Sequence, residues 1–289
     1  MAEGHTRALT ARHPIKPTSR RCLSAWQPNL GRCSTYRRGD SVQTTGTTSE
    51  SLLEANYIAL LSGHDGLGII DIGGHAGRHS LVIQRKLNPS HLLIFEPLPD
   101  QRRSLKTTFS RYANVTVYDC ALGNRRGETT FVVKKSTPEE SGLRQRSFYN
   151  DGNNEDIEYI PITIETLDNL GIPFTVDYIK IDTEGGEIDI LKGAANLLRR
   201  DAPIISVEYG PGGYDAYGYE PETLFQLAAE MDYSVFDLFG NCFTSIDEWM
   251  SCVARFYWDY LLIPDRSIPA IADRLNVIRA LDFARFRRG

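Results

Sequence analysis

The feature that most constrains this chain is an apolar run, Ile69, Ile70 and Ile72 around Asp71, that passes straight into Gly73, Gly74, His75, Ala76 and Gly77. A buried strand feeding a glycine turn is how an α/β sheet begins a β-α-β unit. A second apolar run, Leu92 to Phe95, ends on the acid Glu96. The separation of Gly73 from Glu96 is near the ~20 residues of one such unit. The two strand tips together suit a nucleoside. Glycines let the backbone approach a ligand closely, and the next helix aims free N–H groups at it. An acid on the neighbouring tip accepts from both ribose hydroxyls. The turn is not a dinucleotide fingerprint, which would also place glycine at His75 and Arg78.

The rest of the chain continues the alternation. A helix is expected from the capping-box pair Ser51 and Glu54, with Leu53, Tyr57, Leu60 and Leu61 at helical spacing. Val82, Ile83 and Leu87 mark a second helix, and Leu105, Phe109 and Tyr112 a third; Val115 to Tyr118 is a strand. Between 123 and 164 the pattern changes to an antiparallel excursion, Thr129 to Val133 and Ile160 to Ile164, around a long polar loop. That loop reads equally as a lid or as a tolerated insertion, and Pro161 points to an edge strand. Strands resume at Tyr178–Ile181 and Ile204–Val207, with Ile188, Leu191, Ala195 and Leu198 on the helix between them. A helix through Leu224, Leu227, Ala228 and Met231 follows, then strands at Tyr233–Leu238 and Tyr257–Ile263. The expected fold is α/β, a doubly wound, mostly parallel Rossmann-like sheet.

Charge and cysteine narrow the function classes. Residues 1–40 carry eight lysines or arginines against two acids, a net of +6, whereas the whole chain of 289 residues is −5 and the remainder therefore −11. An acidic body excludes a nucleic-acid partner, which demands a basic face. The expected partner is a small-molecule, glycan or lipid-linked acceptor. The basic segment, residues 1–45, is read as a disordered tail before one domain, 46–289. A targeting peptide is the alternative, with Pro14, Pro17 and Pro28 set against its long helix. Five cysteines show no metal-ligand spacing and fit a reducing, cytoplasmic setting. No apolar run approaches the ~18 residues of a membrane span.

Four ordered motifs then carry a resemblance: Asp71 to Gly77, Phe95-Glu96-Pro97, Ala121-Leu122-Gly123-Asn124, and Lys180 to Glu187. Over about Gly68 to Pro264 the chain resembles the FkbM-type S-adenosylmethionine-dependent methyltransferases, with His75 in place of an asparagine. The resemblance implies S-adenosylmethionine as cofactor and an antiparallel final strand. On it, Gly73, Gly74, His75 and Gly77 shape the turn at the donor's amino-acid end. Asp71 holds turn amides or a water that meets the ammonium, and Glu96 takes the ribose. Asp119 and Cys120 contact adenine, although Asp119 also reads as an ordinary turn acid.

Strand ends gather Asp71, Glu96, Asp119, Asp182, Glu184 and Glu208 at one sheet edge. An alcohol acceptor has to lose a proton, so a base or a metal is needed. Asp182 is ranked first as base, with Glu208 beside it and His75 and His79 behind. Magnesium at Asp182 and Glu208 is a second version, as in catechol-type methyltransferases. Glu187 fits a helix first turn whatever the function. Tyr209, Tyr214, Tyr217 and Tyr219 are read as a loop of flat faces for sugar or polyketide skeletons. The leading reading is O-methylation of a glycan, polyketide or related hydroxyl. N-methylation, a catalytically silent partner-binding domain and, last, a dehydrogenase are the alternatives.

Overall fold

Strands and helices alternate as a doubly wound sheet requires in the computed structural model, which describes residues 49–138, 141–144, 156–253 and 258–286. The chain divides into two units, Met1–Thr45 and Gly46–Gly289, and the described residues all lie in the second. The expected tail therefore lies outside the described residues, as do most of the polar loop and Tyr257.

In chain order the elements are α1 (Ser49–Leu61), β1 (Gly68–Ile72), α2 (Arg78–Leu87), β2 (His91–Phe95), α3 (Pro99–Phe109), β3 (Val115–Tyr118), β4 (Cys120–Leu122), β5 (Gly127–Lys134) and β6 (Ile157–Glu165). The second half adds β7 (Tyr178–Ile181), α4 (Glu187–Lys192), α5 (Ala195–Asp201), β8 (Ile204–Glu208), α6 (Pro211–Tyr217), α7 (Thr223–Glu230), β9 (Tyr233–Asp237), α8 (Ile246–Cys252), β10 (Asp259–Pro264) and α9 (Ile268–Phe286). Seven strands form the main sheet in the order β3-β2-β1-β7-β8-β10-β9. The pairs from β3 to β8 are parallel, and β10 runs antiparallel to both β8 and β9, as the resemblance implied.

Strand period two explains the two layers of helices. Ile70, Ile72, Ile179, Ile181, Ile205 and Val207 point to the side of α4, α5, α7 and α8. Ile69, Leu92, Ile94, Tyr178 and Ile204 point to the side of α1, α2, α3 and α9. Each fully buried aliphatic side chain contributes about 1.5–3 kcal/mol, so neither face is left to water. Asp71, Lys180 and Ser206 are register neighbours and share the second face, an unusual place for charge. A smaller sheet, β4-β6-β5, stands beside the main one with its own core of Leu98, Ala121, Phe131 and Ile162.

Several local expectations change. The helix begins at Ser49, so Ser51 sits in its first turn and does not cap it. The helix expected through Ile188 and Leu198 breaks into α4 and α5 at Gly193, where a Cβ would lie 2.0 Å from the Gly123 carbonyl oxygen. The segment after Glu208, expected as a loop, is helix α6, with Pro211 at its start and Gly218 in the left-handed region at its end. Pro161 lies in the middle strand of the small sheet. However, β4 pairs with β6 only at Thr163–Glu165, so at Pro161 the strand has β5 alone beside it. Among the described residues no helix is long and apolar enough to cross a membrane.

Candidate functional site

The turn after β1 is fastened to the end of β2. Gly73 and Gly74 donate their amides to the Phe95 carbonyl at 3.0 and 3.1 Å. Gly73 has φ 81°, and a Cβ there would lie 1.8 Å from the Asp182 carbonyl oxygen. This glycine therefore makes room for the end of β7; expecting it to make room for a ligand is not needed to explain it. His75 also sits in the left-handed region, with φ 41°, and its amide donates to Glu96 Oε2 at 2.8 Å. Glu96 Oε1 accepts from the Leu98 amide at 2.8 Å. Both amides favour the carboxylate, but burial outweighs them and pushes Glu96 up to about 7.

Four ionisable groups cross the ends of β1, β7 and β8. Asp71 Oδ2 accepts from the Ser80 hydroxyl at 2.5 Å, while Oδ1 is buried without a hydrogen-bond donor, 3.9 Å from Lys180 Nζ. Asp71 thus holds Ser80 on α2; the turn amides it was expected to hold go to Phe95. Lys180 is buried and its ammonium lies 2.8 Å from Asp182 Oδ2. Burial opposes the lysine charge, yet the two carboxylates outweigh it and hold the ammonium above its ordinary value. The Asp182 side chain is 39% exposed and opens onto the cavity. Burial raises it, but Lys180 and a hydrogen bond with Glu208 pull it down to about 2. Glu208 is held well above the carboxylate range by burial and by the neighbouring Asp182 and Glu184. Of the two, Glu208 is therefore the more readily protonated.

The ends of these strands line a cavity of about 490 Å³. Of the residues expected from sequence, Asp71, Gly73, Gly74, His75, Glu96, Cys120, Asp182, Glu184 and Glu208 are on its wall. Gly77 and Asp119 are not. Gly77 shapes the start of α2, and the Asp119 side chain is 70% exposed, 3.9 Å from Arg102. Beside Cys120 the wall continues through Leu98, Ala121, Leu122 and Phe131, an apolar slot built largely by the small sheet. His79 also faces the cavity, but burial and then Lys180 bring it down to about 4, so it is neutral and a weak base. Glu187 Oε1 accepts from the Thr183 and Gly185 amides and the Thr183 hydroxyl, a local capping role.

Among the four tyrosines only Tyr217 reaches the cavity. Tyr209 and Tyr214 are core residues, and the Tyr219 hydroxyl meets Asp189 at 2.5 Å. Lys180 received no role from sequence, although a lysine inside an apolar strand is a visible signal. Asp182, Glu184 and Glu208 each offer an oxygen within 4.8 Å of the others. The Lys180 ammonium beside Asp182 already offsets part of that charge, and magnesium gains no support.

The methyltransferase FkbM domain matches residues 71–235, more than half of the chain. Methyltransferase 1 of Beauveria bassiana (strain ARSEF 2860) is 26% identical over 142 residues, 43% of this chain and 57% of that protein. The chain thus spans little more than half the length of this curated relative. Among solved structures, the methyltransferase FkbM of Methylobacillus flagellatus KT is 17% identical with a TM-score of 0.42, over 71% of this chain and 47% of that one. M. jannaschii TYW2, solved in complex with AdoMet, is 12% identical with a TM-score of 0.36, over 67% of this chain and 68% of that one. On the strength of the domain match, which contains the glycine turn, Glu96, Asp182 and Glu208, the chain belongs to the FkbM methyltransferase domain family.

Proposed function

We propose that this protein methylates a hydroxyl group of a small molecule, with a glycan or polyketide as acceptor class and S-adenosylmethionine as donor. When bound, S-adenosylmethionine supplies a methyl group already activated on a sulfonium sulfur. The observation that carries the reading is the orientation of Glu96. Two backbone amides fix its carboxylate on the cavity wall, which Asp71 also lines. Each Glu96 oxygen keeps a lone pair for a ribose hydroxyl. Asp71, whose buried Oδ1 faces the Lys180 ammonium, lies beneath the turn and adds negative charge at the donor's amino-acid end. Cys120, Leu98 and Phe131 offer a flat base an apolar slot, and Asp119 drops out of that role.

Methyl transfer breaks a carbon–sulfur bond, whose electron pair stays on sulfur, and forms a carbon–oxygen bond. The hydroxyl proton then needs an acceptor. A carboxylate near 2 is a poor base, because basicity follows pKa, whereas one held well above the carboxylate range is a stronger one. The ranking that put Asp182 first is therefore reversed in this proposal. Glu208, ionised once its own proton has left to solvent as the cationic donor binds, takes the hydroxyl proton, and ionised Asp182 then accepts the hydrogen bond of the acid so formed. A neutral amine needs no such base, so this acid pair favours O-methylation over N-methylation.

Titration calorimetry with S-adenosylmethionine, its demethylated product and NAD tests the donor assignment. Binding of the first two and not of NAD is expected. Glu96→Ala should weaken both by at least tenfold, since each charge-assisted hydrogen bond lost is worth about 1.5–3 kcal/mol. Undiminished affinity in that variant excludes Glu96 from the ribose site.

A further inference from the structure

We propose that Lys180 is a positioning residue whose charge, set against Asp182, fixes the pH at which the hydrogen-bonded Asp182–Glu208 pair gives up its shared proton. The inference rests on the donor reading above and extends it to a residue with no assigned role.

The geometry is that of a buried bridge. Lys180 lies on the polar row of the sheet between Asp71 on β1 and Ser206 on β8. Its ammonium reaches forward to Asp182 at 2.8 Å and stays 3.9 Å from Asp71. Taking an ammonium out of water is costly unless carboxylates surround it, so the position is maintained against its own desolvation. The two acids it serves differ in one respect. Asp182 touches the ammonium directly, and Glu208 reaches it only through Asp182. The positive charge therefore favours the anion on Asp182, and the anion on Asp182 favours the acid form of Glu208.

Other groups face this ladder from each packed element. His79 on α2 sees Asp71, Lys180 and Asp182, and it is neutral. On α1, Tyr57 and Glu54 stand behind Asp71, and Tyr57 is held far above its ordinary value by burial. Tyr178 on β7 hydrogen-bonds Ser206 and stays a neutral phenol. Glu184 and Asp259 face Glu208, and both oppose its ionisation. Lys180 is thus the cation that acts on Asp182 from within the ladder. With it removed, both carboxyl groups become harder to ionise, and Glu208 gives up its proton only at higher pH.

The test compares S-adenosylmethionine with S-adenosylhomocysteine, which lacks the sulfonium charge but keeps the nucleoside and amino-acid ends. Calorimetry in two buffers of different ionisation enthalpy counts protons released on binding each ligand across the neutral range. Glu96 contributes equally to both, so the difference between the ligands isolates the groups near the sulfur. In the native protein S-adenosylmethionine should release the extra proton, and Glu208→Gln should abolish that excess. Lys180→Met should move the pH at which the excess peaks upward by about one unit, and Lys180→Arg should leave it in place.

If Lys180→Met does not fold, Lys180→Gln, which keeps a hydrogen-bond donor without the charge, should give the same upward shift. An unmoved peak in the neutral variants, or an equal shift in Lys180→Arg, overturns the role of Lys180 while leaving the donor reading intact. An excess that persists in Glu208→Gln overturns the placement of the proton. Failure of both ligands to bind overturns the donor reading itself.

Discussion

The His75 amide donates to the Glu96 carboxylate at 2.8 Å and so ties the turn after the first strand to the tip of the second. The same carboxylate makes binding in the cavity sensitive to pH. Burial pushes free Glu96 up to about 7, and new hydrogen bonds from a ribose would favour its ionised form. Binding then expels a proton. Affinity for S-adenosylhomocysteine should rise with pH up to about 7 and level off above it, losing up to about tenfold per unit on the acid side. Glu96→Gln should flatten that dependence. A Kd for S-adenosylhomocysteine that stays constant across the same range in the native protein would rule the linkage out.

Asp182 and Glu208 should differ when replaced by their amides. With an identified acceptor, Glu208→Gln should lower kcat by about 10²-fold or more and leave affinity for S-adenosylhomocysteine nearly unchanged. Asp182→Asn keeps the shape but leaves the Lys180 ammonium without its nearest partner, so it should lower both kcat and thermal stability. Equal kinetic losses at unaltered Tm in both variants would contradict the division of roles.

Gly73 is constrained by the protein itself. Gly73→Ala adds a Cβ against the Asp182 carbonyl in a left-handed conformation, and the two effects together should cost about 2–5 kcal/mol. At roughly 2–4 °C per kcal/mol for a domain of this size, differential scanning calorimetry resolves that loss easily. Gly63→Ala is the control. Its φ of 81° is the same, but nothing lies within 4 Å of the added carbon, so it should cost only about 1 kcal/mol.

Arg274 on α9 donates to the carbonyl oxygens of Ala59, Leu60 and Ser62 at 3.1, 2.8 and 2.8 Å and closes the end of α1. Arg274→Ala should cost about 1–3 kcal/mol and loosen α1 selectively. Hydrogen exchange at Tyr57 to Leu61 measures this directly. Faster exchange confined to α1 is expected, and uniform protection would refute it.

The main sheet was readable in the sequence because its strands are short apolar runs that end on glycine or acid. The antiparallel last strand came only with the family resemblance. Boundaries were lost where tertiary contacts decide them. Gly193 breaks a helix because of a carbonyl on a distant loop, which no local pattern reveals. Pro211 and Gly218 were signals for α6 that its other glycines and tyrosines outweighed. At the site, residue identity at strand ends was enough to gather most of the cavity wall, and wrong for Asp119, whose side chain turns to Arg102. Charge state was not readable. Lys180 favours the ionised form of Asp182, and its 2.8 Å contact exists only once the strand is placed.

The cavity joins parts with separate foundations. Its ionic floor is carried by the seven-stranded sheet, while Ala121 and Phe131 on its wall belong to the core of the three-stranded one. Repacking Phe131 against Ile162 would therefore reshape the slot without disturbing the residues that handle the proton. In a lineage of such proteins, the grip on the donor's base and competence for the reaction can drift independently, each under its own set of packing constraints.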